Sequence, residues 1–435
     1  MSKRGLITLA IVLLLAPTRT IMAGGGAEEE VETVGTVDLT FWTFIDIHAD
    51  FYESMAEEFN RQSDDVQIRL ETSVIPMNQM HDQLLLSLAS GRGAPDISDV
   101  MIRWAGQYFK GTPDYFLDLT DLVEPHRDVM HAERLTTYTD MNGRVRGLPT
   151  HIGAGVMYYN RTKLEEAGID IDSIETYDDW VAVGQQVTRP EDDVWFTSQH
   201  YAFAREFLLY TMQKGGYMVD PEGNVTVDGP EAKEALQFIK DTLDTYEIAT
   251  LAPNASFYDP AFFDAMNNER FLSVPHAQWY NTRFRNFMPD LEGDMVMRPL
   301  PAWGDGQGHR SATMGGTGTA VTAQSEHPEV AKRFLEFVKL SYEGNIGIAT
   351  EFGMDPPRLD VYDDERLQRE DPYFSGEITM NVIREVLDDT VAKPVWPVST
   401  DIQTALSRDI LPAVLDGDLS VDEALDSLAA QYATR

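Results

Sequence analysis

The 435-residue chain contains no cysteine. Its absence excludes a disulfide framework, a thiol nucleophile and a lipid-modified cysteine at an exported N-terminus. Lysine is scarce, 9 residues against 25 arginines, and Lys plus Arg reach 34 against 72 Asp plus Glu, for a formal net charge of −38. Such acidity argues against nucleic acid and anionic membrane surfaces as partners, and it is a composition expected in saline surroundings. After residue 23 no apolar run approaches the length that spans a bilayer. Signature motifs of catalysis are missing too: no Gly-x-Ser-x-Gly elbow, no His-Glu-x-x-His helix, no Gly-x-x-x-x-Gly-Lys loop. The nine histidines are scattered, and His126 and His131, five apart, do not share a helical face. No metal site, cofactor or catalytic residue is expected on these grounds.

The N-terminus carries Lys3 and Arg4, the apolar run Leu6 to Ala16, and Ile21-Met22-Ala23 before Gly24. This is the layout of a secretory signal peptide over residues 1–23, too short to span a membrane in the mature protein. Residues 24–36, glycine-rich and acidic, read as a disordered leader. At 435 residues, 43% of them hydrophobic, the chain is too long for one ordinary core, and two domains are predicted.

Val37, Leu39 and Phe41 alternate as in a strand, and Phe51, Met55 and Phe59 recur at helical spacing. A second strand at Val66–Leu70, a helix closed by Gly91 and a third strand opened by Pro95 continue the alternation, which predicts a largely parallel sheet flanked by helices. Further on, Val194–Gly216 reads as an aromatic-rich helix, Phe271–Val274 as a buried strand, and Asp228–Tyr246 and Pro328–Lys339 as amphipathic helices. Three segments fit neither class: Gly143–Asp170 with Pro149, Gly153 and Gly155; Met314–Val321 with Gly315, Gly316 and Gly318; and Gly353–Leu359 with two prolines. Proline removes a ladder donor and glycine permits close backbone approach, so each reads as a strand crossing between two globular units.

Several stretches carry a resemblance. They are Gly147-Leu-Pro149 with Tyr158-Tyr159-Asn160-Arg161 and Glu165 to Asp170; Gly91 to Asp96; Met314 to Gly318 with His327-Pro328-Glu329 and Phe334 to Phe337; and Gly417, Ser420 and Glu423 to Leu425. Together, across everything after residue 36, the chain resembles the family 1 extracellular solute-binding proteins, periplasmic receptors of ABC importers for sugars. The resemblance implies an α/β fold, the type II periplasmic-binding-protein clamshell, each lobe a mixed, mostly parallel sheet flanked by helices. The expected N-terminal lobe is 37–150 plus 313–360 and the C-terminal lobe 151–312 plus 361–435. It also implies a soluble extracytoplasmic monomer that takes a sugar or small oligosaccharide in the cleft and hands it to ABC permease subunits.

The same resemblance supplies candidate contacts. A sugar needs flat aromatics for its C–H faces and planar polar groups for its hydroxyl edges. Trp42 and Asp46 follow the first strand; Arg103 and Trp104 follow the third. Trp279 matches a stretch bearing a stacking tryptophan, Trp396 a C-terminal stacking aromatic, and Gly315 and Gly316 would bring backbone close to the ligand. His151 on the crossing strand, Tyr201 and Arg358 complete the set. Each has a plainer reading: core packing for Trp42, Trp279 and Trp396, surface packing for Arg103 beside Trp104, hinge space for the glycines, a satisfied hinge histidine for His151. Two other functions stay open, the same fold binding a charged solute (a polyamine or a phosphorylated polyol) and an exported glycoside hydrolase.

Overall fold

A computed structural model describes residues 35–111, 114–304 and 308–433. The signal segment and the leader up to residue 34 lie outside the described residues. Gly35 and Thr36, assigned from sequence to the leader, already belong to the first strand. In that strand, β1 (Gly35–Thr43), Leu39 and Phe41 are fully buried while Asp38 is exposed, so alternation in sequence becomes a two-faced strand. β1 pairs in parallel with β2 (Val66–Val74) and β3 (Ile97–Met101). The helix Asp46–Gln62 between β1 and β2 packs Phe51, Met55 and Phe59 onto the core. The helix Met77–Ser90 stops at Gly91, whose φ of +73° is a left-handed cap that a side chain would disfavour.

β4 (Leu148–Pro149) ends the N-terminal run, and the chain crosses at once into β5 (Gly155–Asn160). The short β6 (Thr197–Gln199) and β7 (Ala249–Leu251) pair with each other, and β8 (Ser273–Ala277) and β9 (Met295–Pro299) flank β5 on either side. The chain then returns through β10 (Ser311–Ala312) to β11 (Thr317–Val321), while β12 (Thr390–Val391) pairs with β10. β11 inserts between β3 and β4, giving a five-stranded sheet ordered β2-β1-β3-β11-β4 beside the three-stranded β8-β5-β9.

Strand directions are more mixed than βα alternation alone suggests. β11 runs antiparallel to both β3 and β4, and β5 antiparallel to both of its neighbours. The reason is the crossings, which bring strands back from the opposite side rather than through a same-side helix. The segment 194–216 also differs from expectation. It contains β6, a loop and the helix Arg205–Gln213, because β6 is held in a ladder by β7 and Ala204 adopts a left-handed φ of +51° that no helix accommodates. The other helices lie close to their predicted positions, Pro328–Lys339 at the same limits and Pro230–Asp244 within Asp228–Tyr246.

The three irregular segments run side by side. Ala154 bridges Thr313, Met314 N–H donates to the Gly153 carbonyl (2.8 Å), and Ile152 N–H donates to the Asp355 carbonyl (3.0 Å). Two buried side chains of opposite charge complete the arrangement. Arg134 donates from Nε to the His151 carbonyl (3.0 Å) and from Nη2 to the Gly315 carbonyl (2.9 Å). Asp355 accepts the Ala154 N–H at 2.7 Å. Gly316, at φ +132°, passes so close to Arg134 that a Cβ there would lie 1.5 Å from Nη2. Here the glycine answers a steric demand.

Burial pushes the Asp355 carboxyl up to about 6, against an ordinary value of 3.8. The folded protein therefore keeps this proton over a pH range where the unfolded chain has lost it. The associated stability is fully present below pH 4 and falls as pH rises toward 6, by about 3 kcal/mol in all. Asp355→Asn has no such proton to hold. Chemical unfolding at a series of pH values should show the variant gaining on the parent by about that amount between pH 4 and 6.5; a pH-independent difference would contradict this.

Candidate functional site

Beside the Thr313–Gly315 crossing lies a cavity of about 50 Å3. One wall is Met101, at the carboxyl end of β3, with Ile102 and Arg103 after it; the other is Phe203, Arg205 and Leu208, after β6; Lys393 and Gln403 close it. A site at strand ends, between sheets and against crossings, is where open α/β folds bind ligands.

Arg205 is its polar centre. The guanidinium carbon lies 4.6 Å from the Phe203 ring centroid, 4.9 Å from Tyr258 and 5.3 Å from Trp279. Burial among these rings lowers its pKa to about 10. An Arg205 N–H donates to the Tyr258 hydroxyl. His276 reaches the same hydroxyl through Nε2 at 2.6 Å. Burial, then the nearby Arg205, holds the His276 ring well below its usual pKa, so it is neutral, and its Nδ1 accepts the Ala277 N–H at 2.8 Å. The ring proton must then sit on Nε2 and be donated to Tyr258. With two donors already directed at its oxygen, Tyr258 has its own O–H proton to give a ligand.

Trp279 stands between the site and the crossing. Its indole N–H donates to the Met314 carbonyl at 2.9 Å, and Tyr258 lies nearly parallel, 17° between planes at 6.5 Å. Gly315 leaves the room for this ring, since a Cβ there would come within 3.4 Å of it. Arg103 ties its wall to the helix Ser399–Ala405 that carries Gln403, its side chain donating to Thr404 and its carbonyl accepting from the Thr400 hydroxyl at 2.6 Å. The Lys393 ammonium is lowered to about 7, first by burial and then by Arg103, Arg205 and Arg134.

Of the residues expected from sequence, Arg103 and Gly315 line the cavity and Trp279 adjoins it through Arg205 and Met314. The others lie elsewhere. Trp42 and Trp104 pack against the cluster around Leu84 and Tyr108, Trp104 stacked on His81 at 4.2 Å. Asp46 is exposed as the first residue of its helix rather than in a loop. Gly316 faces Arg134, not the cavity. His151 is buried, with neither ring nitrogen bonded, and burial and then Arg134 hold it well below its usual pKa; it is a neutral part of the crossing. Tyr201 packs on the core of the second sheet's side. Arg358 is engaged by Asp360 and the Leu340 carbonyl. Trp396 donates its N–H to the Asp220 carbonyl at 2.9 Å and lies under Lys110, whose Nζ is 4.8 Å from the ring. Sequence reasoning missed Phe203, Arg205, Tyr258 and Lys393. The available signals were an Arg between aromatics after a short strand and a lysine beside the Pro394–Pro397 segment.

Comparison with known proteins bears on the family and the fold. The sequence profile of the bacterial extracellular solute-binding proteins matches residues 46–341. An arabinooligosaccharide-binding protein of Halalkalibacterium halodurans is 38% identical over 87% of this chain and 85% of its own length. One of the same name from Bacillus subtilis is 37% identical over 88% of each. Among solved structures, maltose-bound MalE3 of T. maritima superposes with a TM-score of 0.71 at 21% identity, covering 91% of this chain and 98% of that one. The sugar-binding protein MalE of Xanthomonas citri gives 0.76 at 17% identity, covering 92% and 97%. At these identities the structural likeness concerns the fold, a two-lobe α/β clamshell, while the sequence matches carry the relationship: the chain belongs to the bacterial extracellular solute-binding protein family.

Proposed function

We propose that the protein captures an oligosaccharide of the arabino-oligosaccharide type in this cavity and delivers it to an ABC-type importer. The observation that carries the reading is the grouping of Phe203, Tyr258 and Trp279 around Arg205 where the two sheets meet. Rings offer faces for sugar C–H groups, and Arg205 and Tyr258 offer donors for hydroxyl edges. The naming of the two sequence relatives as arabinooligosaccharide-binding proteins supports the class of sugar.

The lobes are 37–150 plus 313–360 and 151–312 plus 361–435, supported by the two sheets and their crossings. Export depends on residues 1–23, and the mature protein acts as a soluble monomer; among the described residues no helix is long and apolar enough to cross a membrane. A cavity of about 50 Å3 holds water rather than a sugar ring, so the walls part to admit the ligand and close around it at a wider spacing than the one described. Binding that contacts both walls shifts the open–closed population, and the permease reads the closed form. A polyamine is disfavoured by the cations that line the cavity. Hydrolysis by a carboxylate pair is disfavoured because the lining contains no Asp or Glu.

Trp279→Ala should weaken binding of arabino-oligosaccharides by about 1–3 kcal/mol in titration calorimetry, the scale of a lost aromatic contact in a buried site. Trp396→Ala should lower the melting temperature more than the affinity, because its ring and N–H are already spent on Lys110 and Asp220. The opposite ranking would move the site toward Trp396. Incubated with the same sugars, the pure protein should release no reducing ends; a steady increase would place it among the hydrolases.

A further inference from the structure

We propose that the oligosaccharide taken by this cavity carries a carboxylate, as a uronic acid residue does, and that Lys393 with Arg205 and Arg103 receives it. The inference rests on the oligosaccharide reading above and names the kind of oligosaccharide. Its basis is a local reversal of charge. In a chain with 72 acidic and 34 basic residues, the cavity is lined by Arg103, Arg205 and Lys393 and by no acid at all. A random sample of this chain's charged residues would lean two to one the other way.

None of the three cations is neutralised by a carboxylate of the lining. Arg103 donates to the hydroxyl of Thr404, and the field of Asp401 reaches it from outside the cavity. Arg205 donates to the hydroxyl of Tyr258; the carboxylate whose field acts on it is that of its chain neighbour Glu206, which lies 2.6 Å from His200 Nε2. Lys393 is the clearest case. Among the described residues its ammonium has no ion-pair partner, and the charges that act on it are Arg103, Arg205 and Arg134, all of its own sign. Partly desolvated like charges are unfavourable together and become favourable once an anion lies between them. Burial first, and then these like charges, lower the Lys393 pKa to about 7.

The geometry fits a carboxylate on a sugar better than a free inorganic anion. Two guanidinium groups present planar forks suited to a carboxylate, and an ammonium adds a point charge. The rings of Phe203, Tyr258 and Trp279 stand beside Arg205, so a charge held there has apolar faces next to it where pyranose or furanose C–H groups pack. A neutral oligosaccharide would satisfy the hydroxyl-reading groups but leave the two guanidinium groups and Lys393 without a counter-charge.

The test compares a pentose oligosaccharide bearing one glucuronosyl residue with its carboxyl-reduced neutral counterpart, by titration calorimetry at fixed ionic strength, with inorganic sulfate as a third titrant. The expected result is that the acidic sugar binds at least about tenfold more tightly than the reduced one, the scale of one charge-assisted pair, and that sulfate binds far more weakly than either acidic or neutral sugar. In Lys393→Met, which removes a half-buried charge and whose folding is checked by its melting temperature, the ratio of the two sugar affinities should fall toward one. Lys393→Gln should behave likewise. Equal affinities for the two sugars in the parent, or a ratio unchanged in both variants, would overturn the carboxylate proposal while leaving the oligosaccharide reading intact. Failure of both sugars to bind would overturn the oligosaccharide reading itself, and this proposal with it.

Discussion

The clamp made by Arg134 and Asp355 holds together the place where three chain segments pass between the two sheets. Their backbone groups there cannot be satisfied by a regular ladder. Arg134 takes up the carbonyls of His151 and Gly315, one from each of two crossings, and Asp355, on the third, accepts Ala154 N–H while its own carbonyl accepts Ile152 N–H. Buried polar backbone without partners would cost several kcal/mol at this point. Two side chains of opposite charge meet the demand and, by the same bonds, fix the crossings relative to one another.

The clamp and the cavity share residues. The carbonyl of Gly315 is held by Arg134 from behind while its Cα faces the Trp279 ring, and the adjacent Met314 carbonyl accepts the Trp279 N–H. The crossing strand is thus a thin wall with the Arg134 clamp on one side and the Trp279 ring on the other. On the proposed function, a ligand in contact with Trp279 and Arg205 would bear directly on the segment that joins the two sheets. Arg103 acts at the far rim, joining β3's continuation to the helix Ser399–Ala405. Contacts to both walls are the condition for a ligand to shift a two-state equilibrium.

Legibility in the sequence depended on the range of the interactions. Glycines and prolines in the three crossings, period-2 and period-3.6 patterns, and the stop at Gly91 are local signals, and the elements they mark stand where expected. Arg205 was hidden by a local misreading, because aromatic residues from Val194 to Gly216 suit a helix until Ala204 breaks it in the left-handed region. Tyr258 carries no local signal and Lys393 only its place beside Pro394; the return of the chain through β12 and the pairing of Tyr258 with His276 bring them to Arg205. Trp396 and Arg358 show the converse: an aromatic on irregular backbone and a cation near a crossing look available in sequence, whereas in the fold Asp220, Lys110 and Asp360 engage them. A single sequence shows which groups exist, not which are already engaged.

An oligosaccharide held between both walls of the cavity beside the Thr313–Gly315 crossing must protect backbone on each side of it. Hydrogen–deuterium exchange of the pure protein, with and without a mixture of arabino-oligosaccharides, reads this out segment by segment. Exchange should slow together in residues 101–105, 203–212, 278–281 and 313–316. Protection confined to one wall, or located away from these segments while calorimetry records binding, would contradict a ligand gripped from both sides.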